Sequence, residues 1–247
     1  MAVESAISVT GTRPPRRLLR RIGRYFLIGC GALVVLLFIA HLGWKYYGPN
    51  QWELEIQRNG ILIYGLKAPG FTLKKYKGVR QLKTTLTRAV AGALDSDLAT
   101  CVDWIGTGCV SLKVIEPLSP KDHAVVYLTR VDLPSPFTPR EFLLKTQVTQ
   151  NPTDNSVLID FLAVPDRLPP NDCCMRVRDV HNTWKYTPVG NGEVRVEYIE
   201  DSDYGMPYIL YDIRHATDVY DMLTGLPELL NKPKYDNTHF DFLNDSP

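Results

Sequence analysis

Residues 25–44, YFLIGCGALVVLLFIAHLGW, run for twenty positions without a formal charge. At ~1.5 Å rise per residue such a helix spans the ~30 Å hydrocarbon core of a bilayer. Polar positions are missing from every face, which argues against a helix buried in a globular core. Six arginines (Arg13, Arg16, Arg17, Arg20, Arg21 and Arg24) precede the run, against one acid, Glu4. Tyr25 opens it, and Trp44, Tyr46 and Tyr47 lie at its far end, where interfacial aromatics belong. A cleaved signal peptide is the competing reading, prompted by Arg16-Arg17. The run is long for one, however, and no clean Ala-x-Ala site follows. The sequence therefore predicts a basic cytoplasmic N-terminus over 1–24 and an uncleaved single-pass anchor over 25–47. By the positive-inside rule the rest is exported, in a bacterium from the inner membrane into the periplasm.

Only residues 48–51 separate the anchor from the first strand pattern, a reach of ~15–18 Å at most, so the soluble part stays against the bilayer. WELEIQ and ILIYGLK flank Asn59-Gly60 as a hairpin (52–67), and a third strand is expected within 71–82. Residues 84–105 switch to helical spacing and break at Asp95-Ser96-Asp97, giving two short helices that end near Trp104. Strand patterns resume at 109–117, 123–132, 142–150, 156–164, 174–184 and 192–200. A last helix is predicted over 206–230, with Pro207 in its first turn and one stripe of Ile209, Leu210, Ile213, Ala216, Tyr220 and Leu223. Gly225 and Pro227 are expected to interrupt or end it, and 231–247 reads as a polar, partly disordered tail. A curved antiparallel sheet wrapped around one long helix uses this α+β order and leaves room for an apolar cavity.

Cys101 and Cys109 could bridge across a short loop in an oxidising compartment. The adjacent Cys173 and Cys174 are too close for an unstrained bridge with each other. No Cys/His spacing suggests zinc and no HExxH is present. The total charge of +1 gives no basis for a nucleic-acid partner.

The stretch VDLPSPFTPREF (131–142) sets Pro134, Pro136 and Pro139 in one corner. Without backbone donors they exclude a central strand, and Thr138 is expected to cap a short helical turn with Pro139 at its first position. Glu141 would favour that turn's N-terminus, and Arg140 would pair with a carboxylate or with carbonyls at the corner.

With these residues in place, the span from Trp52 to Leu230 resembles the StAR-related lipid-transfer (START) domain, a helix-grip (Bet v 1-like) fold. The resemblance rests on Tyr127, the proline corner, Arg140-Glu141-Phe142, Met175-Arg176-Val177, and Trp184 with Pro188. Asp95 through Trp104 and Asp203-Tyr204-Gly205-Met206-Pro207 add to it, the latter one residue shorter than the family's pattern. Such a resemblance implies one lipid held between the curved sheet and the C-terminal helix, and no cofactor. Sterol-binding members carry an acid–base pair inside the cavity; Tyr127 and Thr146 occupy those positions here, so a sterol is neither supported nor excluded.

Strand parity puts Leu144, Thr146 and Val148 on one face of their strand. On the next strand the apolar set Val157, Ile159, Phe161 and Ala163 is the better choice for the inside. The expected ligand contacts are thus Tyr127, Leu144, Thr146, Val148, Ile159, Phe161, Tyr198, Ile213, Ala216 and Tyr220. Arg176 and Arg178 share a face assigned to solvent, with Arg176 an alternative contact for an anionic headgroup.

The function expected is membrane-anchored lipid binding or transfer, not catalysis, gated by the C-terminal helix. The ligand would be a phospholipid, a sterol or another hydrophobic molecule. One alternative is a helix-grip enzyme acting on a hydrophobic substrate, with Tyr127, Asp160, Arg176, His181 and Tyr198 as its polar groups. Another is a non-catalytic module for an envelope protein partner. A reporter fused after Pro247 is expected to be active only on the exported side of the membrane; activity in the cytoplasm would overturn the orientation.

Overall fold

The computed structural model describes residues 16–105, 108–169 and 171–245, and the chain divides into two units that meet in sequence at Tyr47 and Gly48. The first contains α1, Arg16–Tyr46, whose stretch from Arg20 to Tyr46 is long and apolar enough to cross a membrane by length and composition.

The second unit is an α+β fold in which a curved antiparallel sheet grips one long helix. Its strands are β1 (Trp52–Arg58), β2 (Ile61–Leu66), β3 (Lys75–Lys83), β4 (Cys109–Glu116), β5 (Ala124–Val131) and β6 (Arg140–Gln150). They continue with β7 (Val157–Ala163), β8 (Met175–Arg176), β9 (Asp179–Gly190), β10 (Glu193–Glu200) and β11 (Ser202–Asp203). Helices α2 (Leu86–Leu94) and α3 (Leu98–Ile105) precede β4, and α4 (Tyr208–Leu230) follows β11. The main sheet runs β1-β2-β3-β10-β9-β7-β6-β5-β4, antiparallel at each step of that path. Asn59 and Gly60 both take positive φ (51° and 74°) at the first hairpin, the conformation a tight two-residue turn demands. Asp97 accepts from the Ala99 amide at the start of α3, so the Asp95–Asp97 break is a true capping step.

The C-terminal half of α4 lies in the sheet's curve, burying Val219, Leu223, Leu226 and Leu230 against Ile61, Ile63, Tyr76 and Val196. Gly78 in β3 permits that closeness: a Cβ there would lie 2.4 Å from a Leu223 methyl carbon. Contrary to the sequence expectation, α4 continues through Gly225 and Pro227. Pro227 has no amide for the Leu223 carbonyl. The Arg80 guanidinium supplies the missing donor, bonding the carbonyls of Leu223 and, at 3.1 Å, Thr224. Pro207 stands at the N-cap rather than inside the first turn.

Three further expectations change. The tail as far as Asp245 packs on the domain, and its last two residues lie outside those described: Tyr235 is buried, Phe240, Phe242 and Leu243 pack on the core, and Asp245 accepts from the Leu86 amide at 2.8 Å. That carboxylate satisfies amides left open at the start of α2. The proline corner forms a turn with a cis Ser135–Pro136 bond instead of a capped helical turn, and β6 begins at Arg140. Cys173 and Cys174 are bonded to each other, because the turn preceding β8 brings their side chains together; Cys101 is bonded to Cys109, tying α3 to β4.

Arg80→Met is expected to destabilise the domain by about 1–3 kcal/mol, the usual cost of orphaning a buried acceptor. Pro227→Ala returns an amide to Leu223, so the same substitution should cost less in that background. Urea titration of the four variants measures the coupling; equal costs in both backgrounds would show that Arg80 acts elsewhere.

Candidate ligand-binding cavity

Where the first half of α4 crosses the sheet, its apolar side chains do not fill the space beneath. A cavity of about 840 Å³ remains between the sheet, α3 and α4. Alternation along β6 sends Phe142, Leu144 and Thr146 into it, and Tyr127 on β5 and Phe161 on β7 flank them. Trp184 and Tyr198 form the wall from β9 and β10, with ring centroids 4.4 Å apart. Trp104 from α3 meets Trp184 edge-on at 5.2 Å and closes the top together with Met222 of α4. Most of this lining is aromatic or aliphatic, as small-molecule sites require.

Polar groups in the wall are largely committed to the fold. The Tyr127 hydroxyl donates to the Leu94 carbonyl, and burial pushes its pKa up, so it remains a donor. Arg140 spends its guanidinium on the Tyr204 carbonyl (2.6 Å), the Gly205 carbonyl (3.3 Å) and the Thr138 carbonyl, pinning the corner to the segment that enters α4. Thr146 Oγ1 is different: it is buried, belongs to the cavity wall and has no hydrogen-bond partner.

The strongest electrostatic feature is the pair Glu200–His215. His215 Nε2 lies 2.8 Å from Glu200 Oε2, with side-chain exposures of 12% and 6%, an approach too oblique for a good hydrogen bond. The imidazole stacks on Tyr211 at 4.0 Å and sits 4.9 Å from the Tyr76 ring, surroundings that favour a cation. Burial alone disfavours both charges. The Glu200 carboxylate nevertheless raises His215 above its ordinary 6.5, helped by Asp218 and Asp212. Conversely the His215 cation and the hydroxyls of Tyr204 and Tyr198 hold Glu200 below its ordinary 4.5. Nearby, Asp212 accepts from Tyr76 at 3.3 Å, while burial raises its own pKa.

Tyr127, Leu144, Thr146, Phe161 and Tyr198, expected from sequence, therefore stand in the cavity wall. The other expected contacts do not. Val148 and Ile159 have the right parity, but α2 packs across that end of β6, β7 and β9 and turns them into solid core. Tyr220 accepts from Arg58 Nε and Asn59 Nδ2, both at 3.0 Å, with the Arg58 guanidinium over its ring, and so clamps α4 to the first hairpin. Ala216 packs against the core, and Ile213 is 75% exposed. The helix turns its other face inward here, because Tyr211, Asp212 and His215 have partners on the sheet. Arg176 is neither solvated nor at the cavity: it pairs with Glu141 at 2.7 Å and donates to the Pro165 carbonyl, also at 2.7 Å. Glu141 thus serves Arg176, not a helix end, while Arg178 is exposed and paired with Asp166.

The polar groups of the enzyme reading are split. Asp160 and His181 are 3.5 Å apart, yet outside the cavity, with His181 55% exposed. The inward acid–base pair is Glu200–His215, which the sequence reading missed. Its one signal was His215 four residues after Tyr211, on a face that the apolar stripe overshadowed. Among the described residues no group of three or more His, Cys, Asp or Glu could hold a metal ion.

The pair dictates a pH response. His215, with a raised pKa, stabilises the fold fully below 6.5, and that contribution is lost as pH rises through its folded value. Glu200, with a lowered pKa, contributes fully above 4.5 and loses its contribution as pH falls through its folded value. Both are complete between 4.5 and 6.5. Denaturation midpoints at either side of this window should show wild type losing its advantage over His215→Gln at alkaline pH; a constant gap would contradict the assignment.

No protein-family model matches the chain. An uncharacterized protein of Pseudomonas aeruginosa is 27% identical over 156 residues, covering 63% of this chain and 74% of that one. Among solved structures, a STAR-related lipid transfer protein fragment from Xanthomonas axonopodis superposes with a TM-score of 0.63 at 18% identity. It covers 73% of this chain and 99% of the fragment. Human StAR-related lipid transfer protein 5 gives 0.61 at 14% identity, covering 81% of this chain and 95% of that one. The fold of this chain is the one these lipid-transfer domains share.

Proposed function

We propose that the chain is a membrane-anchored lipid-binding protein that takes one hydrophobic molecule into the cavity and releases it by displacing α4. The observation that carries this reading is the unfilled, aromatic-lined volume of about 840 Å³, in the upper part of the ~300–1,000 Å³ range of small-molecule sites. Well-packed cores leave few voids larger than a water molecule. A lipid leaving a bilayer for water loses ~0.8 kcal/mol per CH₂, and such a wall removes most of that cost.

The likeness to lipid-transfer domains supports lipid binding in general. Retention at the membrane rests on α1, which keeps the domain at high local concentration near its lipid source and favours local extraction or handover over long-range shuttling. Gating by α4 rests on its two unlike halves: the second is fastened by core leucines, the first by the titratable Glu200–His215 contact. An interaction module with a collapsed core would have Phe161, Trp184 and Tyr220 fill this space. Phe161 and Trp184 instead stand in the wall of an open cavity, and Tyr220 is engaged with Arg58.

The test is to delete residues 1–47, purify the domain and identify co-purifying lipid by mass spectrometry, alongside transfer between vesicles. Wild type should carry lipid, and Leu144→Trp, which projects an indole into the middle of the cavity wall and obstructs it, should carry at least about tenfold less with an unchanged circular dichroism spectrum. A wild-type domain without ligand and without transfer would overturn the reading.

A further inference from the structure

The two disulfides of the second unit have unlike surroundings. Cys101 and Cys109 are both buried, and their bridge joins α3 to β4 over a sequence separation of 8. Closing such a loop restricts the unfolded chain and so stabilises the fold. Cys173 and Cys174 are neighbours in sequence, so their bridge closes no such loop and takes little freedom from the unfolded chain. It joins no two elements either, since both residues belong to the turn ahead of β8. Nor does the turn depend on it for its place. The Asn171 side chain accepts from the Cys173 amide at 3.1 Å. On the other side the Met175 amide donates to the Pro139 carbonyl and the Val177 amide to the Glu141 carbonyl, both at 2.9 Å. Between them Arg176 is fastened to Glu141 and to the carbonyls of Pro165, Leu168 and Pro169. The Cys173–Cys174 bond is thus left without a structural task.

Access completes the contrast. Disulfide exchange needs an attacking thiolate to reach one of the two sulfurs. Burial denies that approach to Cys101–Cys109, whereas Cys173 is exposed and Cys174 half-buried. We infer that Cys173–Cys174 is a redox-active pair that exchanges with a dithiol reductant, while Cys101–Cys109 stays closed as a structural bridge. In the first step a thiolate of the reductant attacks Cys173 Sγ, on the more accessible cysteine. The Cys173–Cys174 bond breaks, and Cys174 leaves as a thiolate that takes a proton from water. The reductant's second thiolate then attacks the reductant sulfur of the mixed disulfide. This closes the reductant's own disulfide and releases Cys173, which is protonated in turn. Two electrons pass to the cysteine pair, and the dithiol is oxidised to a disulfide. A dithiol is the fitting co-reactant because a monothiol adduct on Cys173 lies next to the Cys174 thiolate, which expels it and recloses the bridge. Neither cysteine belongs to the cavity wall, so this site is separate from the lipid-binding one.

The test uses the full chain in detergent micelles, with Cys30→Ser to remove the free thiol of α1. The oxidised protein is equilibrated in buffers of graded reduced-to-oxidised dithiothreitol ratio, quenched with acid and alkylated, and mass spectrometry reads the label on each cysteine. Cys173–Cys174 should be half reduced at a ratio at least about tenfold lower than Cys101–Cys109, with an unchanged circular dichroism spectrum at that point. A smaller separation, the reverse order, or loss of the spectrum as Cys173–Cys174 opens would overturn the inference. Sulfur access is read from single variants treated with oxidised glutathione. The mixed disulfide should form faster at Cys173 in Cys174→Ser than at Cys174 in Cys173→Ser. Equal or reversed rates would overturn the assignment of Cys173 as the sulfur attacked.

Discussion

The grip of α4 on the sheet changes character along its length, and the cavity exists because of that change. In the second half the contact is dry: Leu223, Leu226 and Leu230 are almost wholly buried, and Gly78 removes a side chain from β3 so the helix can settle. In the first half the helix is held by His215 on Glu200 and by Asp212 near the Tyr76 hydroxyl. Polar contacts fix a direction and a distance without demanding that the space beside them be filled. Apolar packing at the same points would have drawn the sheet and helix together and closed the void.

Holding an empty volume open has an energetic cost, because lining atoms lose dispersion contacts. The compensation lies around the cavity. The Cys101–Cys109 bridge fixes α3 to β4, and the Asp245 carboxylate fastens the start of α2. Arg88 ties the same helix to Asn231 at 2.9 Å and to Asp236. These clasps leave the first turns of α4 with less apolar burial than its second half, which is what the proposed displacement of the helix would require.

Much of the architecture was legible because alternation and helical spacing are local properties. The hairpin at Asn59-Gly60, the Asp95–Asp97 break and most strand spans need only neighbouring residues to be read. Four of the errors share one cause: each turned on a contact made by another element of the fold. Pro227 reads as a helix end until Arg80, on another element, donates to the freed carbonyl. Ile213 reads as inward because apolar spacing marks a face, but Tyr76 and Glu200 decide which face is wanted. Parity correctly grouped Val148 with Leu144 and Thr146, yet it could not foresee α2 covering one end of that strand. Arg176 had the pattern of a solvated strand residue, and only the return of residues 165–169 over it supplies carbonyls.

The proline corner belongs to this same division between rigid and movable parts. Arg140 joins the corner's Thr138 carbonyl to the carbonyls of Tyr204 and Gly205, immediately ahead of α4. One residue on, Glu141 holds Arg176, which in turn gathers the carbonyls of residues 165, 168 and 169. A buried ion pair of this sort is weak evidence for net stability, but breaking it leaves an uncompensated charge, so its geometry is strongly enforced. Arg140 thus fastens the approach to α4 to the corner, and Arg176 fastens the neighbouring loop. Gly205 takes a positive φ of 66° at this join, a conformation glycine adopts without the strain a Cβ would bring, and Met175 packs where that Cβ would lie. If α4 is displaced as proposed, a stiff corner fastened by these two arginines would keep the sheet that forms the cavity wall in place while the first turns of the helix move.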